Sequence, residues 1–139
     1  MTLLSHSDPS RRIYLAAPYS DHSDSVRKWR ASMAGKVAMD LIFAGHIVYS
    51  PVSHGHALTS WPETLCENCN RIPKDFAFWQ SNCFSFLQHW AEVLAVLRLR
   101  GWEESVGVTA EIAEAQRLGL PVVMLEIDNS CSGRWYELD

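Results

Sequence analysis

Residues 92–127 read EVLAVLRLRGWEESVGVTAEIAEAQRLGLPVVMLEI, and this stretch decides the fold. Glu92–Leu99 is apolar through its centre, as a strand is when both faces of its sheet are covered. Ser105 is placed to cap a helix running from about Val106 to Leu118, and Gly119 is placed to end it. Pro121–Ile127 is a further apolar run of strand length. A strand, a helix and a strand in that order form a crossover unit, which joins parallel neighbours.

The same alternation extends towards the N-terminus. Ile13–Ala17 is a short apolar strand stopped by Pro18. Val26, Trp29, Met33, Val37 and Leu41 recur at helical spacing, with Ala34, Ala38 and Ile42 widening the stripe and Gly45 ending it. Ile47–Ser50 reads as a strand closed by Pro51. Val52–Lys74, with its Gly, Pro, His and Cys residues, reads as a long loop with room for a short helical turn. Asp75 is a candidate cap for a helix over Phe76–Trp90. Residues 1–12 read as a flexible leader, and residues 13–139 as a single domain. The order predicts an α/β chain with a mostly parallel sheet of four to five strands. Such sheets bind ligands at the carboxyl ends of their strands, here Ala17–Ser25, Pro51–His56 and Arg98–Gly107.

The chain has 139 residues, 47% of them hydrophobic, which suits one domain with a real core. Twelve Lys and Arg against 16 Asp and Glu give a net charge of -4, which excludes a nonspecific nucleic-acid binder. No apolar run approaches the roughly 20 residues of a membrane span. The first residues lack the basic start and apolar stretch of a secretory signal. The expectation is a cytoplasmic protein with no membrane or nucleic-acid polymer as partner. The four Cys (66, 69, 83 and 131) fit reduced thiols better than a disulfide framework.

Three groups of residues can carry chemistry. Ser105 and Gly107 open a helix whose free N–H groups suit an anion such as phosphate; they serve equally as a plain cap and a close-packing glycine. Glu111 falls on the buried flank of that helix, between Ala115 and Leu118 on the helical wheel, while Glu114 and Arg117 point outward. An inward carboxylate either borders a cleft or is paired with an Arg or a Tyr hydroxyl. Arg98 and Arg100 share a face at the strand end, where they hold a phosphate, lie exposed, or pair with Glu103 and Glu104. Tyr19 borders the pocket or packs. His54 and His56 are loop residues near the second strand's end, placed to line the site. Cys66 and Cys69 form half a zinc site, which Cys83, His54 or His56 would have to complete.

Ile13–Ser20 (IYLAAPYS), Ser50–His56 (SPVSHGH) and Gly101–Pro121 (GWEESVGVTAEIAEAQRLGLP) together resemble a bacterial and phage family of unknown function, the DUF1937 proteins. That family is related to nucleoside 2-deoxyribosyltransferases and nucleotide N-glycosidases. The likeness covers residues 13–126. It implies a flavodoxin-like, three-layer form of the Rossmann-like fold. It also implies that Glu111 is the nucleophile on the sugar's anomeric carbon, that Ser105 and Gly107 hold the 5′ end, and that Tyr19 orients the nucleophile. Pro18, Ser20, Ser53, His54, Arg98 and Trp102 complete the expected substrate-binding set. No cofactor and no metal are implied, and relatives with this fold commonly form dimers or tetramers. Cys83 and Ala91 stand where relatives carry Asp, so the general acid is open among Asp75, Glu103, Glu104 and water.

The expected activity is cleavage or exchange of the N-glycosidic bond of a (deoxy)nucleoside or its 5′-monophosphate, with hydrolysis of the monophosphate preferred. Breaking that bond builds positive charge on the anomeric carbon, which a carboxylate stabilises or captures. The alternatives are a non-catalytic nucleotide-binding or sensor domain, favoured by Cys83, and a small zinc-stabilised interaction module.

Overall fold

A computed structural model describes residues 9–61, 65, 75–128 and 133–138. The elements run β1 (Arg12–Ala16), α1 (Asp24–Phe43), β2 (Ile47–Tyr49), α2 (Pro51–Thr59), α3 (Phe76–His89), β3 (Val93–Leu97), α4 (Val106–Leu118), β4 (Val122–Ile127) and β5 (Trp135–Glu137). A 3-10 turn at Trp102–Glu104 precedes α4. The strands form one sheet in the order β2-β1-β3-β4-β5. The first four are parallel, and β5 runs antiparallel to β4. This is a Rossmann-like α/β arrangement in which β1 and β3 lie side by side while the chain leaves β1 in the direction of β2.

The central strands are apolar on both faces because both faces are covered. Ile13 and Leu15 of β1, Val93, Ala95 and Leu97 of β3, and Val123 and Leu125 of β4 pack with Ala31, Ala34, Val37 and Leu41 of α1 and with Val52 of α2. The intervening residues Tyr14, Ala16, Leu94 and Val96 pack with Cys83 and Leu87 of α3 and with Val108 and Ala115 of α4. Strand alternation thus sends Tyr14 towards α3 and α4.

Helix α4 begins and ends where its residues dictate. The Ser105 hydroxyl accepts the Val108 N–H at 3.2 Å, and Gly119 closes the helix at φ +74.

Four readings are corrected. The start of the long loop is helix α2: Ser50 accepts the Ser53 N–H at 3.2 Å, and Pro51 sits in the first turn, where its missing N–H costs nothing. The remainder of 52–74 lies almost wholly outside the described residues, as do Cys66, Cys69 and Cys131. The buried face of α1 is turned by one residue: Arg30, Ala31, Ala34, Val37 and Leu41 are inside, whereas Trp29 and Ile42 are about half-exposed. Arg11 and Arg12 already belong to the sheet region rather than to a leader, since the Arg11 carbonyl accepts the Ile47 N–H at 3.0 Å and β1 starts at Arg12. Asp75 precedes α3, but its side chain accepts no capping hydrogen bond from the helix. Strand β5, three residues long, carries no periodicity that sequence reading can detect.

Candidate active site

A cleft of about 880 Å³ opens at the carboxyl ends of the strands. Its walls come from Ala17–Asp21 after β1, Tyr49 and the α2 region after β2, Gly101–Gly107 before and in α4, and the first turns of α3. Of the expected site residues, Glu111, Pro18, Tyr19, Ser20, His54, Ser105 and Gly107 line it.

Glu111 lies a little over one turn into α4 and is only 4% exposed. The Tyr14 hydroxyl hydrogen-bonds its Oε2. No cation among the described residues pairs with it. Burial pushes its carboxyl from 4.5 up to about 8, and the Tyr14 hydrogen bond opposes part of that shift. Tyr14 is itself driven strongly upward by burial and then by the Glu111 charge, so it stays a phenol. The Cys83 thiol sits against this pair; burial raises it to about 11, so it too is protonated at neutral pH. Tyr49 stacks on Phe86 at 3.8 Å, meets Tyr14 edge-on at 5.6 Å, and accepts a hydrogen bond from Asn82 at 3.0 Å. The acid is therefore held by one hydroxyl in an aromatic, weakly polar wall.

At the next corner, the Val106 and Gly107 amides open α4 with no acceptor one turn back in the helix. A Cβ at Gly107 would stand 3.2 Å from the Phe76 ring, so the glycine lets α3 approach the cleft.

Tyr19 lines the cleft, yet its hydroxyl lies 2.8 Å from His56 Nδ1 and not on Glu111. The hydroxyl that orients the acid is that of Tyr14 on β1, the strand beside the central β3. His56, expected as a loop residue beside the site, lies in helix α2 and is fixed in the cleft wall by Tyr19. Ser53, Arg98 and Trp102 do not line the cleft. Ser53 Oγ accepts the Ser50 hydroxyl at 3.0 Å and faces Gly35 of α1. Arg98 Nε faces Glu126 at 3.5 Å, an ion pair without a hydrogen bond, and its guanidinium lies over the Trp102 ring at 5.1 Å, so Arg98 and Trp102 are engaged outside the cleft. Asp75 and Glu104 stand exposed on the rim. Among the described residues no three His, Cys, Asp or Glu side chains form a metal-binding group. No helix there is long and apolar enough to cross a membrane.

Residues 11–127 match the model of a domain of unknown function, DUF1937. The chain belongs to that family. No curated protein matches it. The DUF1937 span contains the whole cleft, from Ala17 to Glu111, and stops at the end of β4.

Two residues of the site lie outside the sequence reading: Tyr14, buried behind the acid, and Arg30, on the cleft wall. Tyr14 passed as one more strand residue, although a hydroxyl on a fully buried strand needs a partner. Arg30 continues the stripe of Ala34, Val37 and Leu41, and a cation on that stripe was the available signal. Its Nη1 and Nη2 donate to the Ser20 and Arg100 carbonyls at 2.9 and 2.8 Å. The loop after β3 is shaped to admit it. Gly101 has φ +92, and a Cβ there would stand 2.7 Å from Arg30 Nη2. Gly101→Ala should lower stability by about 1–3 kcal/mol through strain alone. Urea unfolding measures this, and a loss below roughly 0.5 kcal/mol would contradict it.

Proposed function

We propose that this DUF1937 protein is a nucleoside- or nucleotide-processing enzyme. In this reading it cleaves or exchanges the N-glycosidic bond of a (deoxy)nucleoside or its 5′-monophosphate, with Glu111 as nucleophile. We place it beside the nucleoside 2-deoxyribosyltransferases and nucleotide N-glycosidases, on a flavodoxin-like, three-layer version of the Rossmann-like fold. The observation that carries the reading is a buried acid free of any cation among the described residues, held by a tyrosine hydroxyl on the wall of a roomy cleft.

The chemistry follows from that placement. The ionised Glu111 oxygen bonds to the anomeric carbon as the carbon–nitrogen bond breaks, and the bonding pair leaves with the base. The base takes a proton from an acid at the cleft or from water. Water then attacks the anomeric carbon of the glycosyl ester and returns Glu111 as a carboxylate, or a second base takes the sugar. Tyr14 fixes the carboxyl before and after. The aromatic wall of Tyr49, Phe76 and Trp79 suits a flat base.

The test is incubation of the purified chain with a panel of ribo- and deoxynucleosides and their 5′-monophosphates, with free base read by chromatography. Release from at least one deoxynucleotide or deoxynucleoside is expected; no release from any member rejects the reading. One feature favours a second reading, a nucleotide sensor: Cys83 gives the site a neutral thiol where relatives carry Asp. That reading expects saturable binding by calorimetry with no base released.

A further inference from the structure

Arg30 is only 8% exposed, although it carries a permanent charge. Two of its N–H groups go to the Ser20 and Arg100 carbonyls, and its Nε has no partner among the described residues. No carboxylate among the described residues pairs with it. The other cations on the cleft wall differ: Arg27 and Lys28 both pair with Asp24, at 3.3 and 3.0 Å. Carbonyl dipoles solvate a guanidinium but do not neutralise it, and a buried charge left without a counter-ion is costly.

Its location gives that charge a use. Ser20 follows β1 and Arg100 follows β3, so the guanidinium bridges the two loops that diverge from neighbouring strands. Arg30 lines the cleft there. The loop it grips runs on through Gly101 and the 3-10 turn into Ser105 and the first amides of α4. A fixed cation and a helix N-terminus therefore border the same space. Glu111, protonated below about pH 8, does not oppose an anion entering it.

We propose that Arg30 is the counter-charge of an anion site between the loops after β1 and β3, and that it makes the protein select 5′-phosphorylated nucleosides over bare nucleosides. The substrate half rests on the glycosidic reading above; the anion site does not. A phosphomonoester suits the place because a guanidinium and backbone amides recognise its oxygens together.

Calorimetric titration tests this with inorganic phosphate on the wild-type chain. A deoxynucleoside 5′-monophosphate and its parent nucleoside are then titrated on the Glu111→Gln background, where nothing is consumed. Wild type should bind phosphate, and the monophosphate should bind at least about tenfold tighter than the nucleoside. Arg30→Gln keeps an N–H for a loop carbonyl but removes the charge; the preference should fall to near unity with nucleoside affinity little changed. Arg30→Lys keeps the charge and should keep most of the preference. The proposal is overturned if wild type binds no phosphate, or if Arg30→Gln retains the preference. It is also overturned if both variants lose monophosphate and nucleoside binding in step, which is the mark of a loop staple and nothing more. Should Arg30→Gln fail to fold, Arg30→Lys decides, and a preference absent there overturns it. Arg30-dependent phosphate binding without base release leaves the anion site standing and removes the glycosidase reading. Base release indifferent to the 5′-phosphate does the reverse.

Discussion

Replacing Glu111 with glutamine should cut base release by on the order of 10³-fold or more while the chain still folds. Glutamine matches the side chain in shape, and its amide oxygen still accepts the Tyr14 hydroxyl, so the wall keeps its packing. It lacks the negative charge that captures the anomeric carbon. Only the ionised acid reacts, and burial holds the free protein's carboxyl near pH 8. The wild-type kcat/KM should therefore rise with pH and level off above about 8, where the glutamine variant shows no such limb. Single-turnover assays from pH 6 to 9.5 read both effects. Release that persists unchanged in the variant removes Glu111 from the mechanism.

The second large effect is on stability. Glu111 has a folded pKa of about 8 against an ordinary 4.5, so the folded chain binds the extra proton between those values. Its contribution to stability is fully present below about pH 4.5 and is lost as pH rises through 8. Wild type should thus weaken relative to Glu111→Gln as the solution is made alkaline, by a few kcal/mol in order of magnitude at pH 9. The comparison must be made as a difference at each pH, because two lowered carboxyls lose their contributions in acid: Asp40, where desolvation is outweighed by Lys36 and Trp135 together, and Asp24, held down chiefly by Lys28. Cys83 adds an alkaline term of its own above pH 9. Urea unfolding of both chains at pH 5.5, 7 and 9 measures the difference. Parallel curves would mean that the acid is solvated and ordinary.

Most of the architecture was legible because its signals are local. Ser105, Gly119 and the two apolar runs around them place β3, α4 and β4 almost to the residue. Helix α2 was missed because Pro51 reads both as a strand stop and as a first-turn residue, and Gly55 and two histidines dilute the pattern that follows. The face of α1 was misjudged by one position because a tryptophan looks like core and an arginine does not; the carbonyls that receive Arg30 come from distant loops and are invisible to a wheel. In the cleft, the inward turn of Glu111 could be read from helical phase alone. Its partner could not. Tyr14 and Glu111 are far apart in the chain, and only the pairing of β1 with β3, with α4 packed on that face, brings them together. Arg98 fails for the opposite reason: its sequence neighbours suggested a phosphate grip, while Glu126, on the next strand, claims it.

The short final strand sets the boundary of what must be kept together. The family match ends at Ile127, but Trp135–Glu137 hydrogen-bonds along the outer edge of β4, and the Trp135 indole N–H donates to Asp40 of α1 at 2.8 Å. A fragment trimmed to the matched span would leave β4 with a bare row of amides and carbonyls, the kind of surface on which chains stack into aggregates. The foldable unit is thus longer than the family signature, and the added tail acts as a selvedge that keeps the sheet from fraying into its neighbours.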